Sequence, residues 1–420
     1  MVGDKENVNF PILFSGKEDC CGCQSCAAIC PMRAIEMAPD ENGFVFPKIH
    51  KENCIGCQAC VSACGLHQRI GRQTEGPWYA AAGRGDVAQS ASAGVFVSLA
   101  REIIAQGGVT FGAAYQLLDD GIHVCHVEAS EEHGLTKLQN SRYVQSAAGP
   151  CFSQVKRELV KGKTVLFCGT PCQVAGLKAF LGKEKPWPTL YTADLVCHGV
   201  PSEQMFRDWV ASEESRKGKK ITDVRFRCKR DGWGHSLLML VFQDGSEELI
   251  PADHSAYYAM FLGLETLRDS CYVCPYASGF RAGDLTFGDF WGVQKTRPEV
   301  MRDAARFNEK RGVSCLLVNT EHGREALFKY GDRLNLKEVN FIDIASGNDQ
   351  LRHPSVLPSD RESCLQAYRS GGWDSATKWW VWHHEIPDKV KEKARGLVTH
   401  ALPDSTLMHI KNALKRGGAH

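Results

Sequence analysis

Residues 20–30 read CCGCQSCAAIC and residues 54–64 read CIGCQACVSAC, so one cysteine pattern, C-x2-C-x2-C-x3-C, occurs twice. The second copy begins at Cys54, 34 residues after Cys20. Between the copies, the turn sequence DENG at residues 40–43 separates two short apolar runs, which predicts a β-hairpin. The repeat therefore predicts duplicated halves, each built from a hairpin and a helix.

The spacing of these eight cysteines is typical of a bacterial ferredoxin with two 4Fe-4S clusters, in which three close thiolates bind one cluster and the fourth reaches the other. The predicted ligands of the first cluster are Cys20, Cys23, Cys26 and Cys64, and those of the second are Cys54, Cys57, Cys60 and Cys30. Pro31 follows Cys30, as the pattern requires, but Gly65 stands where a second proline is usual. This departure leaves every ligand in place.

Two other uses of cysteine compete with the clusters. Structural zinc needs four ligands and does not explain a repeated set of eight. Disulfides need an oxidising compartment. The amino-terminal residues MVGDKENVNFPILFSG lack a basic segment followed by a continuous apolar one, so we expect a cytoplasmic protein without a transmembrane segment. In such a compartment the 19 cysteines are better explained as metal ligands or reactive thiols than as disulfides.

Length and composition indicate a larger protein around the cysteine repeat. The chain has 420 residues, of which 43% are hydrophobic and 24% charged, so it can bury a full core beyond the repeat. The net charge of +1 gives no indication of binding to nucleic acid or to a membrane surface. At least one further globular unit is expected to use the electrons of the clusters.

Beyond a predicted linker at residues 71–77, helical and strand patterns alternate. Residues 94–105 predict a helix, and residues 109–116 and 123–129 predict a hairpin. The segments 164–168, 171–181 and 190–197 predict strand, helix and strand, a βαβ unit whose first strand is buried on both faces. The predicted class is α+β with α/β features.

Three segments place cysteine where chemistry is favoured. FCGTPCQ at residues 167–173 ends a predicted strand and opens a helix, where free N–H groups attract a flavin pyrophosphate, a flavin ring edge or a thiolate ligand. DLVCHGVPS at residues 194–202 repeats this arrangement, and CYVC at residues 271–274 adds two thiols at cluster spacing.

These segments resemble the beta subunit family of coenzyme F-420 hydrogenase and dehydrogenase, and more closely its bacterial members with a fused amino-terminal ferredoxin. The resemblance rests on FCGTPCQVAGLK (167–178), DLVCHGVPS, CYVCPYASGFRAGDLTFGDFWG (271–292), QSASAGVF (89–96) and NSRYVQS (140–146), and it covers roughly residues 15 to 340. It implies bound FAD, iron–sulfur clusters and electron transfer between them. The implied fold is a two-cluster ferredoxin domain fused to a mixed α/β flavin-binding domain.

The same resemblance implies the residues of the flavin site, which are Ser90, Ser92, Gly94, Arg142, Tyr143, Gln145, Ser146, Gly169, Thr170 and Pro171. Two positions depart from the family pattern. Ala93 replaces the first glycine of a usual pair, and its methyl group could crowd the flavin. Arg142 replaces a lysine, which keeps the charge but changes the contact geometry.

A third 4Fe-4S cluster is predicted from four cysteines that each lie inside a family-like motif, namely Cys172, Cys197, Cys271 and Cys274. The alternative is that Cys172 and Cys197 are buried small hydrophobic residues and that the other two are an incidental pair. His198 and His235 are candidate proton donors to a substrate, with a surface or hydrogen-bonded role as the alternative.

The resulting hypothesis is an iron–sulfur flavoprotein oxidoreductase. Single electrons pass from the ferredoxin-type clusters to FAD, which reduces or oxidises an organic substrate or a deazaflavin-type carrier. The alternative is a non-catalytic electron-transfer subunit of a hydrogenase or dehydrogenase complex. The expected partners are an external carrier such as ferredoxin or a partner subunit, together with a small-molecule substrate and without nucleic acid; a homo-oligomer is also compatible with the sequence.

Four units are predicted along the chain. They are a ferredoxin domain at 1–75, a flavin-binding region at 76–160, a catalytic region at 161–340 and a helical, docked tail at 341–420. The tail contains Trp373, Trp379, Trp380 and Trp382, followed by the lysine-rich sequence KVKEKARGL at 389–397. Packing of the aromatic face on the main domain is favoured over a helix that binds a partner or a membrane surface.

Overall fold

A computed structural model describes residues 9–85, 87–182 and 186–385. A small lobe that contains the cysteine repeat, residues 9–70 (the cysteine-rich lobe), packs on a larger unit built around an eight-stranded mixed sheet. This combination of helices with a mixed sheet agrees with the predicted α+β class with α/β features. Within the described ranges, no helix is long and apolar enough to cross a membrane.

The cysteine-rich lobe has one hairpin and two short helices. Its elements are α1 (Ser25–Ile29), β1 (Ile35–Pro39), β2 (Val45–Ile49) and α2 (Ala59–Ser62). The residue before each helix, Gln24 or Gln58, has a left-handed backbone with φ of 69° or 60°, so the sequence repeat is also a conformational repeat. β1 and β2 pair antiparallel around the turn at Asp40, whose carboxylate accepts the N–H groups of Asn42 and Phe44.

A hairpin in the second half was predicted and is not present in the described lobe. The chain beyond Cys64 instead forms β3 (Arg72–Gln73), which pairs antiparallel with β12 (Phe280–Arg281) of the larger unit. The residues expected to be a linker therefore attach the lobe to the larger unit. The second half has no alternating apolar segment with which a second hairpin could form.

The large sheet has the strand order β15-β4-β14-β13-β8-β7-β5-β6. Its strands are β4 (Trp78–Gly83), β5 (Val109–Leu118), β6 (Gly121–Ala129), β7 (Val165–Gly169), β8 (Leu190–Leu195), β13 (Leu285–Asp289), β14 (Ser314–Val318) and β15 (Leu334–Val339). β5, β7, β8 and β13 are parallel neighbours, and the other pairs are antiparallel. The predicted hairpin (β5 and β6) and the predicted βαβ unit (β7, α6 and β8) are confirmed.

Helices cover both faces of this sheet. They are α3 (Val95–Ala105) and α11 (Glu321–Tyr330) on one face, and α5 (Gly149–Val160) and α6 (Pro171–Leu181) on the other. The apolar residues of α3 recur at helical spacing and bury against β4, β5 and β7. α5 and α6 also contact α1, so the cysteine-rich lobe lies against this second face.

A second, three-stranded sheet contributes to a core that is rich in aromatic residues. It consists of β9 (Ile221–Arg225), β10 (Leu237–Phe242) and β11 (Glu247–Pro251), and it packs with α7 (Glu203–Lys217), α8 (Ala256–Leu262) and α13 (Arg361–Trp380). α13 is kinked at Gly371 and Gly372. Beyond the kink, Trp373, Trp379 and Trp380 are buried in this core. The lysine-rich segment 389–397 lies outside the described residues.

Short helices complete the described fold. They are α4 (Glu132–Thr136), α9 (Val293–Thr296), α10 (Pro298–Arg302) and α12 (Phe341–Ala345). β7, β8 and β13 all end at one edge of the large sheet. β14 is antiparallel to both β13 and β4, so β4 runs in the same direction as β13 and ends at the same edge. Ligands of α/β sheets bind at such a carboxyl edge. Loops with the predicted site residues follow β4, β7 and β8 at this edge.

A buried ion pair holds this edge together. The Nη2 of Arg281 lies 2.7 Å from the Oδ1 of Asp194, and both side chains are almost completely buried. The other carboxylate oxygen of Asp194 accepts the N–H groups of Ala282 and Gly283. Because every charged atom has a partner, the pair fixes the end of β8 against the segment that follows β12.

Close packing explains why residue 65 is glycine rather than the proline of the ferredoxin pattern. A Cβ atom at Gly65 would lie 2.5 Å from the carbonyl carbon of Ala175 and 2.7 Å from the backbone nitrogen of Gly176, both in α6. The backbone of the lobe therefore touches the backbone of α6 at this point. A hydrogen bond of 2.9 Å from the Ser25 hydroxyl to the Gly176 carbonyl strengthens the same contact. A proline here would have no room.

We expect the change Gly65→Ala to destabilise the protein by about 1–3 kcal/mol, because the new methyl group overpacks two backbones that cannot move apart cheaply. The shift is measured as the change in the denaturant midpoint of the purified protein. Gly234→Ala is the matched control, since a Cβ at Gly234 meets no atom within 4 Å. Equal midpoints for the two variants would show that the lobe does not pack on α6 in this way.

Candidate functional site: a chain of thiols at the sheet edge

Four cysteines of the lobe line one apolar cavity. Cys30, Cys54, Cys57 and Cys60 surround it together with apolar residues such as Pro31 and Ile55. These four are the set predicted to bind the second cluster. Backbone N–H groups point to two of the sulfurs, from Ala34 to Cys30 at 3.3 Å and from Gly56 to Cys54 at 3.5 Å. Such hydrogen bonds are typical of cluster ligands, so this donor set fits a 4Fe-4S cluster.

The other predicted set also lies together. Burial, with the nearby thiols of Cys20 and Cys64, raises the pKa of Cys26 to about 12. Burial also raises the pKa of Cys64, and Cys20 contributes again. Cys23 packs against α6, where its Sγ lies 2.8 Å from the position of a Cβ on Gly176. A bound cluster would hold these sulfurs as thiolates in spite of burial, because metal coordination removes the thiol protons.

A third group of thiols belongs to the larger unit. Cys172 is the second residue of α6, Cys197 follows β8, and Cys271 and Cys274 lie in and just after a 3-10 turn, Asp269–Val273. Burial raises the pKa of Cys197 to about 12, with contributions from Cys172 and Cys274. Burial raises the pKa of Cys271 strongly, with contributions from the other three. The structure thus brings together all four residues of the predicted third site, called here the four-cysteine site.

None of these groups resembles a site for one metal ion. In the part of the chain that the structure describes, no three or more His, Cys, Asp or Glu side chains lie close enough to hold a single ion. The thiols of the four-cysteine site are near enough to one another to raise each other's pKa. Thr170, the residue before α6, hydrogen-bonds the sulfur of Cys172 at 3.2 Å.

Cys21 is a residue that the sequence pattern did not single out. Its buried thiol is a neighbour of Cys172, and the interaction between the two thiols is the largest reason why the pKa of Cys172 is raised. Cys21 is also the chain neighbour of Cys20. It therefore links the first predicted cluster set to the four-cysteine site. Its position outside the C-x2-C-x2-C-x3-C spacing hid it, and the CC dipeptide was the available signal.

The residues predicted to bind flavin fall into two neighbouring groups. The first contains Ser90, Ser92 and Gly94, which precede α3, together with Arg142 and Tyr143. The Ser90 hydroxyl donates to the side chain of Gln139 at 3.0 Å, and the Arg142 guanidinium donates to the Gln139 carbonyl at 2.9 Å. Gly94 has a φ of 74° and precedes α3 without a side-chain cap.

Arg142 has an unused donor. Its guanidinium stacks over the ring of Tyr115 at 4.4 Å and donates to two backbone carbonyls. Its Nε is buried and has no hydrogen-bond partner among the described residues. An orphaned charged donor and an uncapped helix start are each features that suit an anionic group such as a pyrophosphate.

The second group contains Gln145, Ser146, Gly169, Thr170 and Pro171, and its hydrogen bonds stay within the protein. The Gln145 amide donates to the carbonyls of Cys21 and Gly22, at 2.9 Å and 3.2 Å. Ser146 bonds His126 and accepts from Gln173, which also completes the cap of α6 at Thr170. Pro171 is the first residue of α6. This group positions the cysteine-rich lobe and α6.

The two candidate histidines occupy different surroundings. His198 follows Cys197, and burial lowers its pKa, although Asp289 nearby opposes the shift. His235 is exposed. The structure also contains a cluster of charged and aromatic side chains near His198. In it, Arg227 pairs with Asp289 at 3.1 Å, and the stacked rings of Trp233 and Trp291 lie 4.8 Å apart. Arg227 is close enough to Tyr143 to oppose the rise in the pKa of Tyr143 that burial causes.

Comparison with known proteins gives two family matches. Residues 162–342 match the C terminus of the coenzyme F-420 hydrogenase/dehydrogenase beta subunit, and residues 19–65 match a 4Fe-4S dicluster domain. These matches confirm the resemblance inferred from the motifs. A chain of the F-420-reducing NiFe hydrogenase complex from Methanosarcina barkeri is similar at 16% identity, with 73% of this chain and 91% of that chain covered and a TM-score of 0.44. No curated protein matches the chain.

The buried His126 predicts a pH dependence of stability. Burial lowers its pKa to about 4 from the usual 6.5, while its Nε2 contacts the Cys168 carbonyl and its ring stacks on Phe167. The unfolded chain therefore takes up a proton first as the pH falls, and stability is lost between about pH 6.5 and 4. Between pH 7 and pH 5 we expect the titration of His126 to lower the free energy of unfolding by about 2 kcal/mol.

Denaturant unfolding at both pH values measures this cost as the difference between the wild type and His126→Gln, which cannot titrate. His133→Gln, at an exposed histidine, is the matched control and should keep the wild-type pH dependence. If His126→Gln loses as much stability between pH 7 and pH 5 as the wild type does, His126 is not buried in its neutral form.

Proposed function

We propose that this chain, whose residues 162–342 match the beta subunit family of coenzyme F-420 hydrogenase and dehydrogenase, is an iron–sulfur flavoprotein oxidoreductase. Its amino-terminal 4Fe-4S dicluster domain takes up or gives off single electrons. A flavin in the larger unit exchanges electron pairs with an organic substrate or a deazaflavin-type carrier such as coenzyme F-420.

The observation that carries the proposal is the continuity of the thiols. Cys57 of the second set is exposed, whereas Cys23 of the first set packs against α6. Cys21 then bridges from this set to Cys172. The four-cysteine site follows at the carboxyl edge of the sheet. A protein that used its cysteines only for packing would have no reason to align three such groups.

The four-cysteine site fits a third 4Fe-4S cluster by its donor chemistry. Four thiols from three separate segments converge, and burial raises the pKa of the Cys197, Cys271 and Cys274 thiols. Cys172 stands in the first turn of α6, where the free N–H groups favour a thiolate. Thr170 and Cys21 can donate hydrogen bonds to its sulfur, which adjusts the potential of a bound cluster.

FAD fits the first group of predicted flavin residues. The uncapped start of α3 at Gly94 and the unused Nε of Arg142 would hold its pyrophosphate. When bound, the flavin would convert single electrons to pairs for hydride-type chemistry. Gln145 and Thr170 would hold the lobe and α6 in place beside it. Ala93 is buried, and its backbone N–H donates to the Ser314 hydroxyl at 3.2 Å. The residue is therefore packed within the protein.

The substrate side would use the cluster around Arg227. Its guanidinium is buried, lies over the ring of Trp291 at 4.6 Å and faces Tyr143. This arrangement would orient an anionic group or a flat ring of the substrate. His198 stands close to Asp289 and is the better placed of the two candidate proton donors, since His235 is exposed on the surface.

The second candidate function is a non-catalytic electron-transfer subunit, and the words "beta subunit" in the family description favour it. The discriminating experiment is anaerobic purification of the full chain alone, followed by assay with dithionite as donor and small-molecule acceptors. Turnover by the isolated chain supports the enzyme. Inertness of the isolated chain, without a co-purifying large subunit, supports the electron-transfer module.

Iron analysis tests the third cluster. The anaerobically purified protein should contain about twelve iron atoms per chain, four for each of three clusters, and the double change Cys271→Ala with Cys274→Ala should lower this to about eight. The expected reason is the loss of two of four ligands from one cluster only. Iron and acid-labile sulfide are measured on the same samples.

The control for this experiment is the double change Cys125→Ala with Cys228→Ala, which removes two cysteines outside all three groups. It should keep the wild-type iron content. A wild-type content near eight, or no loss in the Cys271/Cys274 variant, would eliminate the third cluster but leave the dicluster domain.

Flavin analysis tests the other cofactor. Heat-released flavin should be identified as FAD by chromatography, and Arg142→Met should release at least tenfold less because the buried donor for the pyrophosphate is lost. Arg324→Met, at a half-exposed arginine that pairs with Glu321, is the control. A colourless supernatant from the wild type would refute the flavoprotein assignment.

A further inference from the structure

Arg268 is a completely buried arginine at the contact between the cysteine-rich lobe and the larger unit. Its Nε donates to the Cys20 carbonyl at 2.7 Å, and its Nη2 donates to the Val45 carbonyl at 3.0 Å. Its Nη1 donates to the Gln145 side chain at 3.1 Å. The guanidinium also lies over the ring of Phe46 at 4.1 Å. All of these partners are uncharged.

A buried charge without a counter-charge is costly, and proteins normally pair it. The buried side chains of Arg227, Arg281 and Arg361 follow this rule, since they pair with Asp289, Asp194 and Asp269. For Arg268, no carboxylate of the described chain forms an ion pair. The missing negative charge must therefore come from something that the polypeptide binds.

The nearest candidate is the sulfur of Cys20, which lies 3.8 Å from the Nη2 of Arg268. Cys20 is a predicted ligand of the first cluster. A 4Fe-4S cube held by four thiolates is a net anion in both of its usual oxidation levels, and net charge and hydrogen bonds to sulfur set its potential. The cluster would supply the charge that the protein lacks at this point.

We propose that Arg268 is the buried counter-ion of the first ferredoxin cluster and that it raises the reduction potential of this cluster above that of the second. Reduction adds one electron, and thus one negative charge, to the cluster without a proton, so a fixed cation beside it stabilises the reduced form. Of the buried arginines in the described ranges, Arg268 alone contacts a cysteine of the lobe. The second cluster set has no such cation within these ranges.

The surroundings keep the guanidinium in this place. Gly22 has a φ of 65°, and a Cβ there would lie 2.6 Å from the Gln145 amide nitrogen and 2.9 Å from the Nη1 of Arg268. The loop between Cys20 and Cys23 thus closes directly over both side chains. Gln145 holds the loop through two carbonyls and accepts from Arg268 at the same time. The proposal rests on cluster binding by Cys20, and on neither the flavin nor the third cluster.

The test is a redox titration of the full-length, cluster-loaded protein, followed by electron paramagnetic resonance, for the wild type, Arg268→Gln and Arg268→Lys. Arg268→Gln should shift the equilibrium of one ferredoxin cluster towards the oxidised form by at least tenfold, which is about 59 mV for one electron. Arg268→Lys keeps the charge and should stay within threefold of the wild type. Arg361→Gln removes a buried arginine that has its own carboxylate and should shift neither ferredoxin cluster.

Each outcome decides the question. Unchanged potentials in Arg268→Gln overturn the proposal, and so do equal shifts in the Gln and Lys variants, which would assign Arg268 a purely structural role. Arg268→Gln could lose four iron atoms, and then Arg268→Lys decides. Full iron and a wild-type potential in Arg268→Lys support the proposal, whereas loss of iron from both variants overturns it. Full iron in Cys20→Ser with unchanged cluster signals would instead show that the ligand assignment is wrong.

Discussion

The ion pair between Asp194 and Arg281 is the constraint on which the arrangement of thiols depends. Arg281 also donates to the Leu195 carbonyl, two residues before Cys197, and to the Tyr276 carbonyl, two residues after Cys274. Leaving either charge of a buried pair alone costs about 3–5 kcal/mol. The two segments that carry these cysteines therefore cannot move apart independently. This salt bridge preorganises the segments of Cys197 and Cys274, and its arginine opposes the rise in the pKa of both thiols.

The cysteine-rich lobe is held to this edge by direct backbone contact rather than by a flexible linker. Gly65 packs on the backbone of α6, and the Tyr276 hydroxyl donates to the Gly65 carbonyl at 3.3 Å. Gln145 and Arg268 hold the loop of the first cluster set from the other side. Because electron transfer requires short distances, a fixed lobe is of more use here than a mobile one.

Sequence reasoning succeeded where a local pattern determines the structure. The boundaries of α6 were predicted correctly from its proline start and helical spacing. The strands on either side of it in sequence, β7 and β8, were predicted from their apolar residues. It failed where contacts are distant in sequence. Cys21 meets Cys172, and Arg268 reaches Cys20, across 151 and 248 residues respectively. Apart from the CC dipeptide at Cys21, no local signal distinguishes such residues, and the flavin set divided into two groups for the same reason.

The distribution of positive charge gives the proposed route a direction. The cavity around Cys57 lies at the exposed end, and no buried arginine of the described chain contacts its cysteines. Arg268 stands at the next group, and the start of α6 provides partial positive charge at Cys172. Positive charge stabilises an added electron, so the step from the exposed set to the set beside Arg268 would be favoured. Electrons would then enter at the exposed set and pass from it towards the larger unit.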